Sequence, residues 1–239
     1  MQGSVKGSQV VDGQVYILVQ KSGDAAFYGQ MSLYAVDAGT GQARWEFPRN
    51  PTDTFSESML LGVGNGLLYV LSNEGPYSGV PPYQLYVLST DDGSVRWHAL
   101  SEPGHILALY NNGVIYVGMD NAIAAYRASD GQRLWNNSDV LNAFPTLVAQ
   151  GVLYLYNADT SVGAADIFAV DAGTGKMLWQ YASGKPMLVR AVANGLVYAI
   201  TQDDGPLVDN TIYALDAANG AVRWTHDIGH DKTYYLIAR

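Results

Sequence analysis

Five tryptophans constrain this chain more than any other feature, because each recurs with the same companions. Trp45, Trp97, Trp135, Trp179 and Trp224 each follow a glycine by four positions: Gly41, Gly93, Gly131, Gly175 and Gly220. Upstream lies a second glycine (Gly13, Gly66, Gly113, Gly151, Gly195), and three residues after each of these comes a tyrosine: Tyr16, Tyr69, Tyr116, Tyr154 and Tyr198. The tryptophans are 52, 38, 44 and 45 residues apart. Landmarks held in register five times define an internal repeat, and a period of about 40–50 residues points to stacked units that share a core with their neighbours.

Each unit reads as four short strands. In the last one, Leu188 to Ala193 ends in the turn Asn194-Gly195, and Leu196 to Thr201 follows. A polar loop leads to Thr211 to Asp216, and the turn Ala217-Ala218-Asn219-Gly220 returns the chain into Ala221 to Asp227. Asn-Gly between alternating apolar residues is a strong hairpin signal, and both Asn194-Gly195 and Asn219-Gly220 carry it. No stretch shows a helical stripe. The 26 glycines and 11% aromatic residues suit many strands joined by tight turns.

Four antiparallel strands per repeat make a propeller blade. The expected fold is therefore all-β, a β-propeller of four-stranded antiparallel blades with five repeats present. A single domain would cover 1–239, with blades at approximately 4–47, 57–99, 104–137, 143–182 and 187–228 and an extra strand at 233–239. The repeat spacing places the first turn of a sixth unit one residue past Arg239, and Thr233 to Ala238 reads as the first strand of another blade. Either the ring is incomplete, as in an excised piece of a larger propeller, or the last strand completes the first blade. The spacing favours the incomplete ring. An open arc would expose apolar blade faces and strand edges and would self-associate.

Length varies between repeats mostly between the second and third strands. The insertions Gln20–Gln30, Asn73–Tyr83, Asn157–Ala165 and Gln202–Asn210 would emerge on one rim, where binding residues concentrate on a rigid scaffold. Phe27, Tyr28, Tyr77 and Tyr83 lie there and are candidate anchors for a protein partner.

Charge and composition narrow the function classes. The net charge is −9, and the 13 Lys and Arg are scattered, so no basic stripe exists for nucleic acid. No apolar run approaches a transmembrane span, and Met1 to Gln9 lacks the apolar core of a signal peptide. With no cysteine, the chain can form neither a disulfide nor a thiolate site. Asp203-Asp204-Gly205 lacks the alternating ligands of a calcium loop and reads as a solvated turn. His226 and His230 flank Gly229 after a strand, so the helical spacing of a zinc pair does not apply, and His98 and His105 stand apart. No metal site and no catalytic residue is expected. The bland role of the repeat tyrosines is packing between blades.

The segment Ala169-Val170-Asp171-Ala172-Gly173-Thr174-Gly175-Lys176-Met177-Leu178-Trp179 resembles the tryptophan-docking motif of the quinoprotein (PQQ-like) β-propeller family. Ala35 to Trp45 matches with Gln42 at the lysine position. Ala214 to Trp224 matches with Asn219 for Thr and Ala221 for Lys. In repeats two and three, Ser89 and Arg127 replace the Asp. The resemblance implies that each Trp packs between adjacent blades while Asp and Gly shape the turn. The docking set is then Asp37, Gly41, Trp45, Gly93, Trp97, Gly131, Trp135, Asp171, Gly175, Trp179, Asp216, Gly220 and Trp224. It also implies an extracytoplasmic setting, in the periplasm or at the cell surface.

Some relatives are PQQ-dependent dehydrogenases that use Ca²⁺ and a vicinal disulfide. Others, such as the propeller lipoprotein of the outer-membrane β-barrel assembly machinery, are non-catalytic. The missing cysteines point to the second group: a protein-interaction, sensing or scaffold module without a cofactor. The alternative is a PQQ-dependent dehydrogenase or a degenerate fragment of one, with PQQ and Ca²⁺.

Overall fold

A computed structural model describes residues 3–21, 31–48, 55–74, 83–100, 106–119, 121–157, 167–201 and 210–229. These residues form five four-stranded antiparallel sheets and, among them, no helix. The first sheet holds β1 (Gly3–Val11), β2 (Gln14–Lys21), β3 (Met31–Asp37) and β4 (Ala43–Phe47). The second holds β5 (Phe55–Gly64), β6 (Leu67–Glu74), β7 (Tyr83–Ser89) and β8 (Val95–Leu100). The third holds β9 (Ile106–Asn111), β10 (Val114–Met119), β11 (Ala122–Arg127) and β12 (Arg133–Asn137). The fourth holds β13 (Ala143–Ala149), β14 (Val152–Asn157), β15 (Ile167–Asp171) and β16 (Met177–Tyr181). The fifth holds β17 (Met187–Ala193), β18 (Leu196–Thr201), β19 (Asn210–Asp216) and β20 (Val222–Gly229). Strands within each sheet pair in chain order, and none of the sheets closes on itself, so each is a propeller blade. Thr233 to Ala238, the expected extra strand, lies outside the described residues.

The chain divides into two compact units. One comprises Met1–Gly104, Tyr110–Ile115 and Arg127–Gln132; the other comprises His105–Leu109, Tyr116–Tyr126 and Arg133–Arg239. In the first unit, Tyr16, Leu18, Leu33 and Ala35 of the first blade face Leu68, Val70, Tyr86 and Leu88 of the second. In the second unit, Tyr154, Ile167, Ala169 and Trp179 of the fourth blade face Met187, Val189, Val197 and Leu215 of the fifth. Alternate residues of β18 are buried, as expected where one side of a strand packs more tightly than the other.

Turn chemistry fixes the register. The first hairpin of every blade closes on two residues at positive φ, for example Asn194 (52°) and Gly195 (74°). This is the geometry whose twist matches paired strands, and Gly or Asn adopts it at little cost. Asn219-Gly220 turns out differently. Gly220 is at positive φ but Asn219 is not; its side chain instead accepts from the Ala221 N–H, and the Gly220 N–H reaches back to the Asp216 carbonyl. The same dipeptide therefore serves a two-residue turn in one place and ends a longer turn in the other.

A bulge accompanies each tryptophan. Ala35 pairs with Trp45 and Val36 with Ala43, leaving Arg44 as the extra residue. The equivalent extra residues are Arg96, Leu134, Leu178 and Arg223. A bulge re-aims the side chain it carries. Arg44 and Arg223 reach back to Asp37 and Asp216, and Arg96 reaches Ser89.

Candidate functional site: the blade junctions and their turns

Each junction is built from one indole and one turn. Trp45 Nε1 donates to the Thr90 carbonyl of the next blade at 2.9 Å. Trp97 does the same to Ala128 (3.1 Å), Trp135 to Ala172 (3.0 Å) and Trp179 to Ala217 (2.9 Å). The residue accepting the indole donates its own N–H to the upstream landmark glycine: Thr90 to Gly66, Ala128 to Gly113, Ala172 to Gly151 and Ala217 to Gly195. One residue thus ties the two hairpin ends of its own blade together and caps the tryptophan of the blade before.

The turn glycine is required by space as well as by backbone. A Cβ on Gly93 would sit 2.6 Å from Trp45, on Gly131 3.1 Å from Trp97, on Gly175 2.4 Å from Trp135, and on Gly220 2.6 Å from Trp179. All four are at positive φ, so the position needs Gly twice over. The repeat tyrosine completes the packing, with ring centroids 6.0 Å apart in Tyr16–Trp45, Tyr116–Trp135, Tyr154–Trp179 and Tyr198–Trp224. Burial holds the phenols of Tyr16, Tyr69, Tyr116 and Tyr154 above their ordinary range.

Trp224 departs from the expectation that every Trp packs between blades. It is 44% exposed, against 7% for Trp179. Among the described residues no carbonyl accepts its N–H. Gly41, the first turn glycine, has nothing within 4 Å of its Cβ position. Gly41 belongs to the first described blade and Trp224 to the fifth.

The acidic residues of the motif are engaged locally. Asp37 accepts from the backbone N–H of Gly39 and Thr40, the Thr40 hydroxyl and Arg44, and these bonds, Arg44 foremost, hold its carboxyl at about 2. Thr174 in particular lowers Asp171, and Arg223 lowers Asp216. Repeats two and three keep the polarity by moving the carboxylate. Asp92 and Asp130 stand at the threonine position, where each accepts the N–H two residues on, and Asp130 also pairs with Arg127. The sequence signal for this shift is an acidic residue directly before the turn glycine, Asp92-Gly93 and Asp130-Gly131.

Two further features went unread. Tyr110 stacks on Tyr69 with centroids 4.2 Å apart, in a notch that exists because Gly62 and Gly64 carry no side chain. The signal was the Gly-x-Gly in a first strand. On the first blade, Lys21 donates to Glu46 at 2.8 Å and Tyr34 donates to the same carboxylate oxygen. Burial works against the Glu46 charge, but Lys21, Tyr34 and Ser32 outweigh it and leave the carboxyl lowered.

The candidate partner residues fare unevenly. Tyr83 opens β7 opposite Asn73 and is half-buried. Phe27, Tyr28, Tyr77 and the Asp203-Asp204-Gly205 turn lie outside the described residues, as do His105 and His230. His98 stacks on Tyr86, and His226 is exposed on β20. Beside Phe47 and Pro48, a cavity of about 10 Å³ is lined by Leu18, Met31, Ser58 and Val70 and has room for no more than a water. Among the described residues no three His, Cys, Asp or Glu converge as metal ligands.

Comparison with known proteins agrees with this geometry. The family model described as outer membrane protein assembly factor BamB matches residues 29–158 and 138–236. Tetrathionate hydrolase of Acidithiobacillus ferrooxidans is 23% identical over 95% of this chain, which spans 49% of that protein. Among solved structures, BamB of Moraxella catarrhalis is 18% identical with a TM-score of 0.54, covering 94% of this chain and 70% of its own. The quinohemoprotein alcohol dehydrogenase of Comamonas testosteroni is 16% identical with a TM-score of 0.61, covering 97% of this chain and 45% of its own. The chain thus spans about half the length of the hydrolase and of the dehydrogenase. At these identities the solved structures speak to fold.

Proposed function

From the premise that this chain belongs to the family described as outer membrane protein assembly factor BamB, we propose that it is a non-catalytic interaction or scaffold module working outside the cytoplasm. The observation that carries this reading is the engagement of its repeated carboxylates. Asp37, Asp171 and Asp216 are each held by turn N–H groups and by Thr40, Thr174 or an arginine. A quinone–calcium site needs six to eight oxygen ligands around the ion. Among the described residues no three His, Cys, Asp or Glu side chains converge, and the chain has no cysteine for a vicinal disulfide. Among the described residues the carboxylates do not form a donor set that fits PQQ and Ca²⁺.

What varies between blades is the connection from second to third strand, and in this reading those connections select the partner. Among the described residues no helix is long and apolar enough to cross a membrane. A photo-reactive amino acid placed at Tyr28 or Tyr77 is expected to give a discrete protein adduct in cells. The same residue at Lys176, on the opposite end of its blade, should not. Saturable PQQ binding at millimolar Ca²⁺ with dye-linked oxidation of an alcohol would overturn the proposal in favour of a dehydrogenase.

A further inference from the structure

Four Asn-Gly steps occur in the chain, and the fold treats them in two ways. Asn65-Gly66, Asn112-Gly113 and Asn194-Gly195 form the two-residue hairpin turns of the second, third and fifth blades. Both residues of each turn lie at positive φ, and all three asparagines are exposed. Such a turn pairs its flanking strands and leaves the N–H of its own second residue outside the ladder. Among the described residues no acceptor faces the N–H of Gly66, Gly113 or Gly195. The carbonyls of the same glycines accept from Thr90, Ala128 and Ala217, the residues that cap Trp45, Trp97 and Trp179. Asn219-Gly220 stands in a docking turn instead. There the Gly220 N–H donates to the Asp216 carbonyl at 2.8 Å, and Gly220 is buried against Trp179. The Asn219 Oδ1 accepts from the Ala221 N–H at 2.9 Å.

We infer that Asn65, Asn112 and Asn194 are sites of spontaneous deamidation, and that the fold withholds Asn219 from the same chemistry. The free glycine amide nitrogen, once it gives up its proton, attacks the asparagine Cγ. A C–N bond forms, the Cγ–Nδ2 bond breaks, and the leaving nitrogen takes up a proton and departs as ammonia. Water, the only co-reactant, then opens the five-membered imide at either carbonyl to give aspartate or isoaspartate. Glycine permits the step because it has no side chain to hinder the approach to Cγ. A glycine N–H already held by a carbonyl must first be released. Isoaspartate routes the backbone through the former side-chain methylene, which lengthens a turn whose glycine carbonyl holds the cap of a tryptophan. The seams through Trp45, Trp97 and Trp179 are therefore the ones that loosen. The seam through Trp135 is spared, because its turn is Gln150-Gly151 and glutamine would have to close a less favourable six-membered ring. The inference is independent of the proposed partner binding.

Ageing the wild-type protein in mildly alkaline buffer, folded and in urea, tests it. Peptide mapping by mass spectrometry follows each asparagine, with electron-based fragmentation to tell isoaspartate from aspartate. In the folded protein Asn65, Asn112 and Asn194 are expected to convert, and Asn219 at least about tenfold more slowly because its turn must open first. In urea all four should convert at similar rates, since only the shared Asn-Gly sequence remains. Asn219 keeping pace in the folded protein, hairpin sites that stay intact when folded yet convert in urea, or a lag at Asn219 that persists in urea would each overturn the inference. A variant carrying Asn65→Gly, Asn112→Gly and Asn194→Gly suits the positive φ of these positions and cannot deamidate there; circular dichroism checks that it folds. After ageing, wild type should unfold at lower urea than before, and this variant should keep its midpoint. Converted wild type that keeps its own midpoint would overturn the link to the seams.

Discussion

At the scale of single residues, the aspartates define how acid acts on the fold. Asp37 drops from an ordinary 3.8 to about 2, through Arg44 first and then Thr40, so its charge favours the folded state. Such a group contributes stability that is complete above the ordinary value and is lost as pH falls through the lowered one. Asp130, Asp171 and Asp216 shift in the same direction. Urea denaturation should therefore show stability falling between about pH 4 and pH 2. Asp37→Asn should lower stability at neutral pH and flatten part of that fall, with the size of the difference reduced by salt because these turns are exposed. The turn aspartates were legible from the motif. Their relocation to Asp92 and Asp130 was not, because a motif read position by position registers a substitution and misses that an acid at the threonine position can accept the N–H that the threonine hydroxyl takes in the first and fourth repeats.

At the scale of elements, strands and hairpins were legible because glycine and alternation act locally. Strand ends expected for the last blade fall within two residues of those observed. What local reading missed depends on a neighbouring sheet. Gly62 and Gly64 are unremarkable within β5; their meaning comes from Tyr110, one sheet away. A Cβ on Gly62 would lie 2.5 Å from the Tyr110 ring. Gly62→Ala is thus expected to cost about 1–3 kcal/mol, the usual range for overpacking. In a Tyr110→Ala background the same change should cost far less, and a double-mutant cycle by chemical denaturation measures the coupling. Additive costs would show that the ring shifts aside freely. The bulge at each tryptophan was equally invisible in sequence, although an arginine directly before Trp45, Trp97 and Trp224 is its consequence.

At the scale of the whole chain, stability accumulates junction by junction, as it does where each repeat touches only its neighbours. The five-fold landmark register made the architecture readable. The long connections, with Phe27, Tyr28 and Tyr77, carry no repeated pattern, so their partner chemistry was not readable by the same route. The indole relay has a practical consequence. Four of the five tryptophan N–H protons are tied to a carbonyl of an adjoining blade, and each reports on one seam alone. In an NMR spectrum followed after transfer to heavy water, the signals of Trp45, Trp97, Trp135 and Trp179 should fade slowly and that of Trp224 at once. The protein so carries a gauge of its own assembly, with one needle per seam. A loosened seam would quicken its own signal while the others kept their pace.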